Sequence, residues 1–275
     1  MKIAITGGAG FVGGHLARQL RAAGHEAAVF TRQSPAGDLS GFDALIHAAW
    51  DFAAPESNIA ASTTLFEQAR DAGVRRLIFV SSLSAFEGCK SRYGAAKLAV
   101  EKIVTALGGC NVRLGFVLDN SNRGLSGGLR KLAALPVVPL PDGGRQVLYS
   151  IDAEELGPAF LRLLDGDRLL ARAARNADER HVDLADPEPV TLRELMRKFA
   201  CEQSRKPLFV PIPWRMLWAP LRILEAFGFR LRFRSDSLVS LMNQFTRTGD
   251  TQSDPDSPRD WPGNNQKTAP LPPKS

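Results

Sequence analysis

Cysteine is scarce in this 275-residue chain: Cys89, Cys110 and Cys201 are the whole set, with no CxxC spacing. That excludes a disulfide framework, argues against structural zinc and fits a reducing compartment. No apolar run approaches the roughly 18 residues that cross a bilayer. Met1 leads straight into an apolar strand, with no room for a cleaved leader. A cytoplasmic protein is therefore expected. Charge of one sign is also modest. The net charge is +6 and the pI about 9.5, but Arg18, Arg21, Arg70, Arg75 and Arg76 are scattered over expected helix faces, so nucleic acid is not an expected partner. With 44% hydrophobic and 23% charged residues, the chain can bury the core of one large α/β domain, or of one domain with a small lobe.

What is present is concentrated at the start. Residues 1–14, MKIAITGGAGFVGG, read as strand, glycine turn and helix start. Gly7 permits the tight turn, Gly10 lets a pyrophosphate approach the backbone, and Gly13 lets the helix pack on its strand. The free N–H groups and positive dipole end of such a helix suit a dinucleotide phosphate. Strands are expected at 2–6, 26–30, 44–48, 76–81 and 112–117, and helices at about 11–23, 56–72 and 93–107. This alternation predicts a doubly wound parallel sheet, a Rossmann fold. Too few residues separate Thr31 from Asp43 for a full crossover helix and strand, so Gly37-Asp38-Leu39 is either a residual third strand or a loop. Segment 120–145 reads as loop and helix over the site, not as a sheet unit. Glu154 to Leu164 look helical. Thr191 and Glu194 have the spacing of a capping box at the head of another helix. The proline-rich, apolar-poor stretch from Thr246 is expected to lack order. The domain reading is a dinucleotide-binding unit over 1–160 with elements returning from the second half, a mainly substrate-binding lobe over 161–245, and a tail over 246–275.

Two side chains carry the expected chemistry. Tyr93 and Lys97 stand four apart on a predicted helix, hence on one face, in a chain with only two tyrosines. An ammonium beside a phenol stabilises phenolate and is expected to lower the Tyr93 pKa. The phenol then exchanges a proton with a substrate hydroxyl or carbonyl during hydride transfer. Upstream, LIFVSSLSAF is a buried-strand pattern ending in Ser81, Ser82 and Ser84, at the carboxyl end where an open α/β sheet places ligand contacts. Ser82, with Ser84 as the substitute, is the candidate donor to the reacting oxygen.

The set TGGAGFVG, HAAW, VSSLSAF and YGAAK, in that order, resembles the extended short-chain dehydrogenase/reductases of the NAD-dependent epimerase/dehydratase branch. The resemblance spans about residues 1–245. It implies a Rossmann domain with a small C-terminal substrate lobe, and a catalytic set of Ser82, Tyr93 and Lys97. It implies cofactor contacts at Gly7, Gly10, Phe11, Val12, Gly13, Thr31, Arg32, Asp38, Leu39, His47, Ala48, Ala49, Ser81, Tyr93 and Lys97. Arg113 and Gly115 match the strand leading to substrate, Asn58 begins the helix after the HAA segment, and residues 149–156 match the segment returning to the sheet. The chain departs from the family in its shortened third strand, in the short interval from Ser82 to Tyr93, and in ending its second strand Val29-Phe30-Thr31-Arg32 without an acidic residue for a ribose 2′-hydroxyl. Arg32 suits a 2′-phosphate, so NADP is slightly favoured over NAD.

The implied function is an NAD(P)-dependent oxidoreductase or epimerase acting on a nucleotide-sugar or a similar hydroxyl or ketone compound. The alternatives are a non-catalytic NAD(P)-binding regulatory or assembly protein, and a membrane-peripheral reductase. The last rests on residues 210–234, where Trp214, Leu217, Trp218 and Leu221 share a helical face flanked by Arg215, Arg222, Arg230, Arg232 and Arg234. Lobe core is the favoured reading of that segment, ahead of contact with a membrane surface or with a second copy in a homodimer.

Overall fold

The computed structural model describes residues 1–121, 124–166, 181–227 and 234–250. β1 (Lys2–Thr6) enters the core at once: Ile3, Ala4 and Ile5 are fully buried, as a strand covered on both faces requires. The glycine turn opens α1 (Phe11–Ala22), which buries Leu16, Ala17 and Leu20 at helical spacing. There follow β2 (Glu26–Phe30), β3 (Ala44–His47), α2 (Ser57–Asp71), β4 (Arg76–Ser82), α3 (Arg92–Ala106) and β5 (Cys110–Leu114). The second half supplies β6 (Phe116–Leu118), α4 (Gly124–Ala133), β7 (Val137–Pro141), β8 (Val147–Leu148), β9 (Ser150–Asp152), α5 (Leu156–Leu164) and β10 (His181–Leu184). It ends with β11 (Val190–Thr191), α6 (Leu192–Glu202), β12 (Leu208–Ile212), α7 (Trp214–Ala226) and α8 (Ser235–Asp250).

Among the described residues, six strands form one parallel sheet in the order β2-β1-β3-β4-β5-β10. Strand order reverses between β1 and β3, and the crevice outside their carboxyl ends is where an open α/β sheet takes its ligand. One core cluster joins the sheet to α1 and α5 through Leu16, Leu20, Leu156, Phe160 and Leu163. A second lies on the other face around Phe66, Phe79, Val100 and Val104 of α2, β4 and α3. Both faces are covered by helices, as the doubly wound reading expects.

Two local expectations change, and one open reading is settled. The run expected as one strand over 112–117 is broken at Gly115, where a Cβ would stand 2.5 Å from the Tyr149 carbonyl oxygen. The chain bends there, and β6 pairs with β9 in place of continuing β5. Gly37-Asp38-Leu39 is loop, the second of its two readings, and Leu39 is buried among the apolar residues under α2. Segment 120–145 does contain a sheet unit, since β7 pairs in parallel with β12. Val138 and Leu140 of that strand enter a third core with Leu192, Leu195, Met196 and Phe199 of α6, a partnership no local pattern reveals. The capping box at the head of α6 forms as expected, Thr191 and Glu194 each bonding the other's backbone. α8 continues to Asp250, into the tail expected to lack order, and the rest of that tail lies outside the described residues. In α7, Trp214, Leu217, Trp218 and Leu221 are only half-buried, so the lobe-core reading holds for one face of that helix and not for the other.

The tightest constraint in the sheet is at the first loop. Gly7 has a φ of +72°, and a Cβ there would lie 2.6 Å from both the nitrogen and the Cα of Ala49. Gly7→Ala is expected to cost more than about 2 kcal/mol of stability, from left-handed strain plus displacement of the 48–49 backbone. Gly37→Ala, where nothing stands within 4 Å of the new carbon, should be close to neutral. Urea denaturation of the two variants checks the contrast.

Candidate active site

The site is organised by α3. Ser91 caps it, accepting a bond from the Gly94 amide at 3.0 Å. The free amides of Arg92 and Tyr93 donate to the two carboxylate oxygens of Asp236 on α8, at 2.9 and 2.8 Å. The Arg92 guanidinium grips Glu56, just before α2, through two 2.6 Å bonds, and the Ser240 hydroxyl bonds that of Ser91 at 2.8 Å. Gly94 lets the helix backbone settle against the Ser84 carbonyl, where a Cβ would come within 2.3 Å. The start of the helix is thus pinned from both flanks.

Tyr93, Lys97 and Glu101 descend one face of α3 towards β4 and β5. Tyr93 is hydrogen-bonded to Ser82, its ring stacked on Phe52 at 5.4 Å and edge-on to Trp50 at 5.8 Å. The Lys97 ammonium is buried. It donates to the Val80 carbonyl at 2.7 Å and lies 3.9 Å above the Trp50 ring and 4.4 Å above that of Phe79. Glu101, also buried, holds Arg113 through bonds of 2.7 to 3.1 Å and accepts from the Ser81 hydroxyl.

Burial governs the ionisation of this cluster. It pushes the Tyr93 phenol up to about 12, against the Ser82 bond that lowers it, with the Glu101 charge adding to the rise. Burial likewise brings Lys97 down to about 7, opposed by Glu101. His47 falls to about 3, again by burial, with the Lys97 charge adding, so its imidazole is neutral. The expected lowering of the phenol pKa by Lys97 is therefore not what this arrangement gives. Desolvation of the phenol dominates, and the ammonium is turned to the Val80 carbonyl and the Trp50 face, 5.9 Å from the Tyr93 ring centre.

The other expected residues divide. Gly7, Gly10 and Gly13 form one tight turn: the Gly10 amide bonds the Gly7 carbonyl at 2.8 Å, and a Cβ on Gly13 would stand 2.4 Å from that same oxygen. Phe11 and Val12 open α1 directly behind it, and Ala48 and Ala49 lie against Gly7. Thr31 starts a turn closed by its amide on the Ser34 carbonyl, and Arg32 projects beside Asp51 at 3.1 Å, 79% exposed. Ser82, not Ser84, reaches Tyr93; the Ser84 amide donates to Ser82. Six side chains have partners within the protein. His47 spends its ring nitrogens on Thr6 at 2.6 Å and Ser62 at 2.9 Å. Ser81 and Arg113 belong to the Glu101 network. Leu39 is core, while bonds from the Ser40 hydroxyl and then the Ser40 amide hold the Asp38 carboxyl below the usual range. Asn58 bonds the 51–55 loop through both ends of its amide.

Sequence reasoning missed Trp50, Glu101 and Asp236 as site residues. Glu101 was within reach, because it continues the four-residue spacing of Tyr93 and Lys97. Trp50 closes the HAAW motif, yet only the fold shows its ring in contact with both the phenol and the ammonium. Asp236 has no local signal. The arrangement fits a dinucleotide on two observations. The first loop is packed too closely for a side chain at Gly7, Gly8 or Gly13, and the Trp50 Nε1 is buried without a hydrogen-bond partner.

The fold is that of a Rossmann protein, and residues 3–117 match the model of the NAD dependent epimerase/dehydratase family. A UDP-glucose 4-epimerase from Streptomyces lividans is 30% identical across 45% of this chain and 54% of that protein, so the match spans about half the relative's length. Among solved structures, the UDP-N-acetylglucosamine 4-epimerase from Bacillus cereus superposes with a TM-score of 0.62 at 15% identity, covering 90% of this chain and 96% of that one. The Thermus thermophilus UDP-glucose 4-epimerase in complex with NAD gives 0.59 at 20% identity, covering 90% and 99%.

The low Lys97 pKa has a consequence for stability. Between about 7 in the folded chain and 10.5 in the unfolded one, the unfolded state holds a proton that the folded state lacks, so stability rises with pH through that window. Denaturation from pH 7.5 to 9.5 should show a slope approaching one proton, about 1.4 kcal/mol per pH unit. Lys97→Met should flatten it and be the more stable chain at pH 7. An unchanged slope in the variant would show that the ammonium is not buried as described.

Proposed function

We propose that this chain is an NAD-dependent enzyme of the epimerase, dehydratase or reductase type, acting on a hydroxyl or ketone carbon of a nucleotide-linked sugar. The observation that carries the reading is the half-buried Tyr93–Ser82 pair, with the buried Lys97 ammonium one turn along the same helix, at the carboxyl edge of β4. The relatives support the substrate class, since all three are epimerases of UDP-linked sugars.

Gly7, Gly10 and Gly13 with the head of α1 would hold the pyrophosphate, and the bound nicotinamide would supply hydride transfer. Tyr93 is a protonated phenol at neutral pH, the form that donates to a ketone oxygen as hydride reaches its carbon. Ser82 donates a bond that steadies that oxygen and orients the phenol. In the oxidising direction Tyr93 must take the substrate hydroxyl proton, and a positive charge on Lys97 favours that step. Trp50 and Phe52 pack against the phenol ring and hold its orientation.

The cofactor preference runs opposite to the expectation from Arg32. That guanidinium already faces Asp51, whose carboxylate would repel a 2′-phosphate brought to the same place. A structure of a relative holds NAD as well. NAD is therefore the proposed cofactor, and NADP preference finds no support.

Tyr93→Phe should reduce turnover of UDP-sugars by about 10²–10⁴-fold, and Ser82→Ala by somewhat less, while NAD binding measured by calorimetry stays within a few-fold. NAD should bind more tightly than NADP. Full turnover in Tyr93→Phe would end the proposal.

A further inference from the structure

The helix α7 has an apolar face that the described part of the molecule leaves uncovered. Its inner face, Trp214, Leu217, Trp218 and Leu221, is half-buried, and α7 packs on α8, the helix that carries Asp236. Both ends are tied down. The Trp214 amide donates to Asp142 at 3.0 Å, while Glu225 accepts from the amide and hydroxyl of Ser235 at 2.8 and 2.7 Å. The outer face is a stripe of Met216, Ile223 and Phe227, exposed by 65%, 57% and 77%, with Pro220 in line between them. A spacing of seven and four residues puts these side chains on one side of the helix. Arg215 and Arg222, also seven apart and exposed, form a flank along it.

We propose that α7 docks on an anionic lipid surface, with Met216, Ile223 and Phe227 in the acyl boundary and Arg215 and Arg222 at the headgroups. Charge selects this occupant. Residues 210–234 contain five arginines and a single acid, Glu225, which faces inward to Ser235 and Arg234. A second copy meeting this face across a two-fold axis would set arginine against arginine, whereas an anionic surface answers that charge. Proline chemistry points the same way. Pro220 has no N–H for the Met216 carbonyl, so that group needs water. A headgroup layer supplies water, and a dry protein interface does not. The contact is peripheral, for no helix among the described residues is long and apolar enough to cross a membrane. The inference is independent of the reaction proposed above.

The test is co-sedimentation of the full chain with vesicles of phosphatidylcholine alone or mixed with phosphatidylglycerol, at low and high salt. Binding should be about tenfold or more tighter to the phosphatidylglycerol vesicles and should weaken in high salt, each arginine contributing roughly fivefold. The triple variant Met216→Ser, Ile223→Ser, Phe227→Ser should lose about tenfold or more with an unchanged circular dichroism spectrum. Should that variant misfold, Arg215→Glu with Arg222→Glu reads the same face from its polar flank. Arg197→Glu with Lys198→Glu, an equal charge reversal on the exposed side of α6, should leave binding nearly intact. The proposal fails if the chain ignores phosphatidylglycerol, if the serine variant binds as well as the parent, or if both charge reversals weaken binding equally. It fails too if gel filtration shows a dimer that the serine substitutions dissolve, because the occupant is then a second copy.

Discussion

A buried ammonium is the constraint around which α3 and the strand ends beneath it are arranged. Lys97 sits among the rings of Trp50, Phe79 and Tyr93 and donates to the carbonyl of Val80. Such a group is tolerated only where the surrounding helix is held by contacts that do not depend on it. α3 meets that need. Its first turn is capped by Ser91 and by the Asp236 carboxylate, clamped by Glu56 on Arg92, and seated on Ser84 at Gly94. Farther along the same face, the Glu101–Arg113 pair fixes the helix to β5 and supplies negative charge that supports the ammonium.

That arrangement divides labour between the two faces of a strand end. Ser82 turns to the phenol, while Ser81, one residue earlier and so on the other side of the strand, enters the Glu101 network. The same separation explains His47, which belongs by position to the crevice-lining segment but turns its ring inward to Thr6 and Ser62. What remains at the crevice from β1 and β3 is backbone and small side chains, as close approach of a dinucleotide requires.

Much of the fold was legible because its signals are local. The apolar run of β1, the glycine spacing after it, the Tyr93–Lys97 interval and the Thr191–Glu194 box each work through neighbours within a turn or two. The failures share the opposite property. β7 exists because Leu208–Ile212 pairs with it, and Phe116–Leu118 leaves the line of β5 because Ser150–Asp152 pairs with it. The inverted pKa expectation has the same origin. Four-residue spacing says that the phenol and ammonium share a face, but burial and the direction of each head group decide their ionisation.

The sequence by itself determined the parallel αβ layering, the place of the glycine turn and the shared helix face of Tyr93 and Lys97, since periodicity and glycine geometry act along the chain. Tertiary structure alone decided which serine meets the phenol, where the ammonium points, that Asp51 faces Arg32, and which side of α7 stays uncovered. Those outcomes depend on desolvation and on partners distant in sequence, and both exist only once the chain has closed on itself.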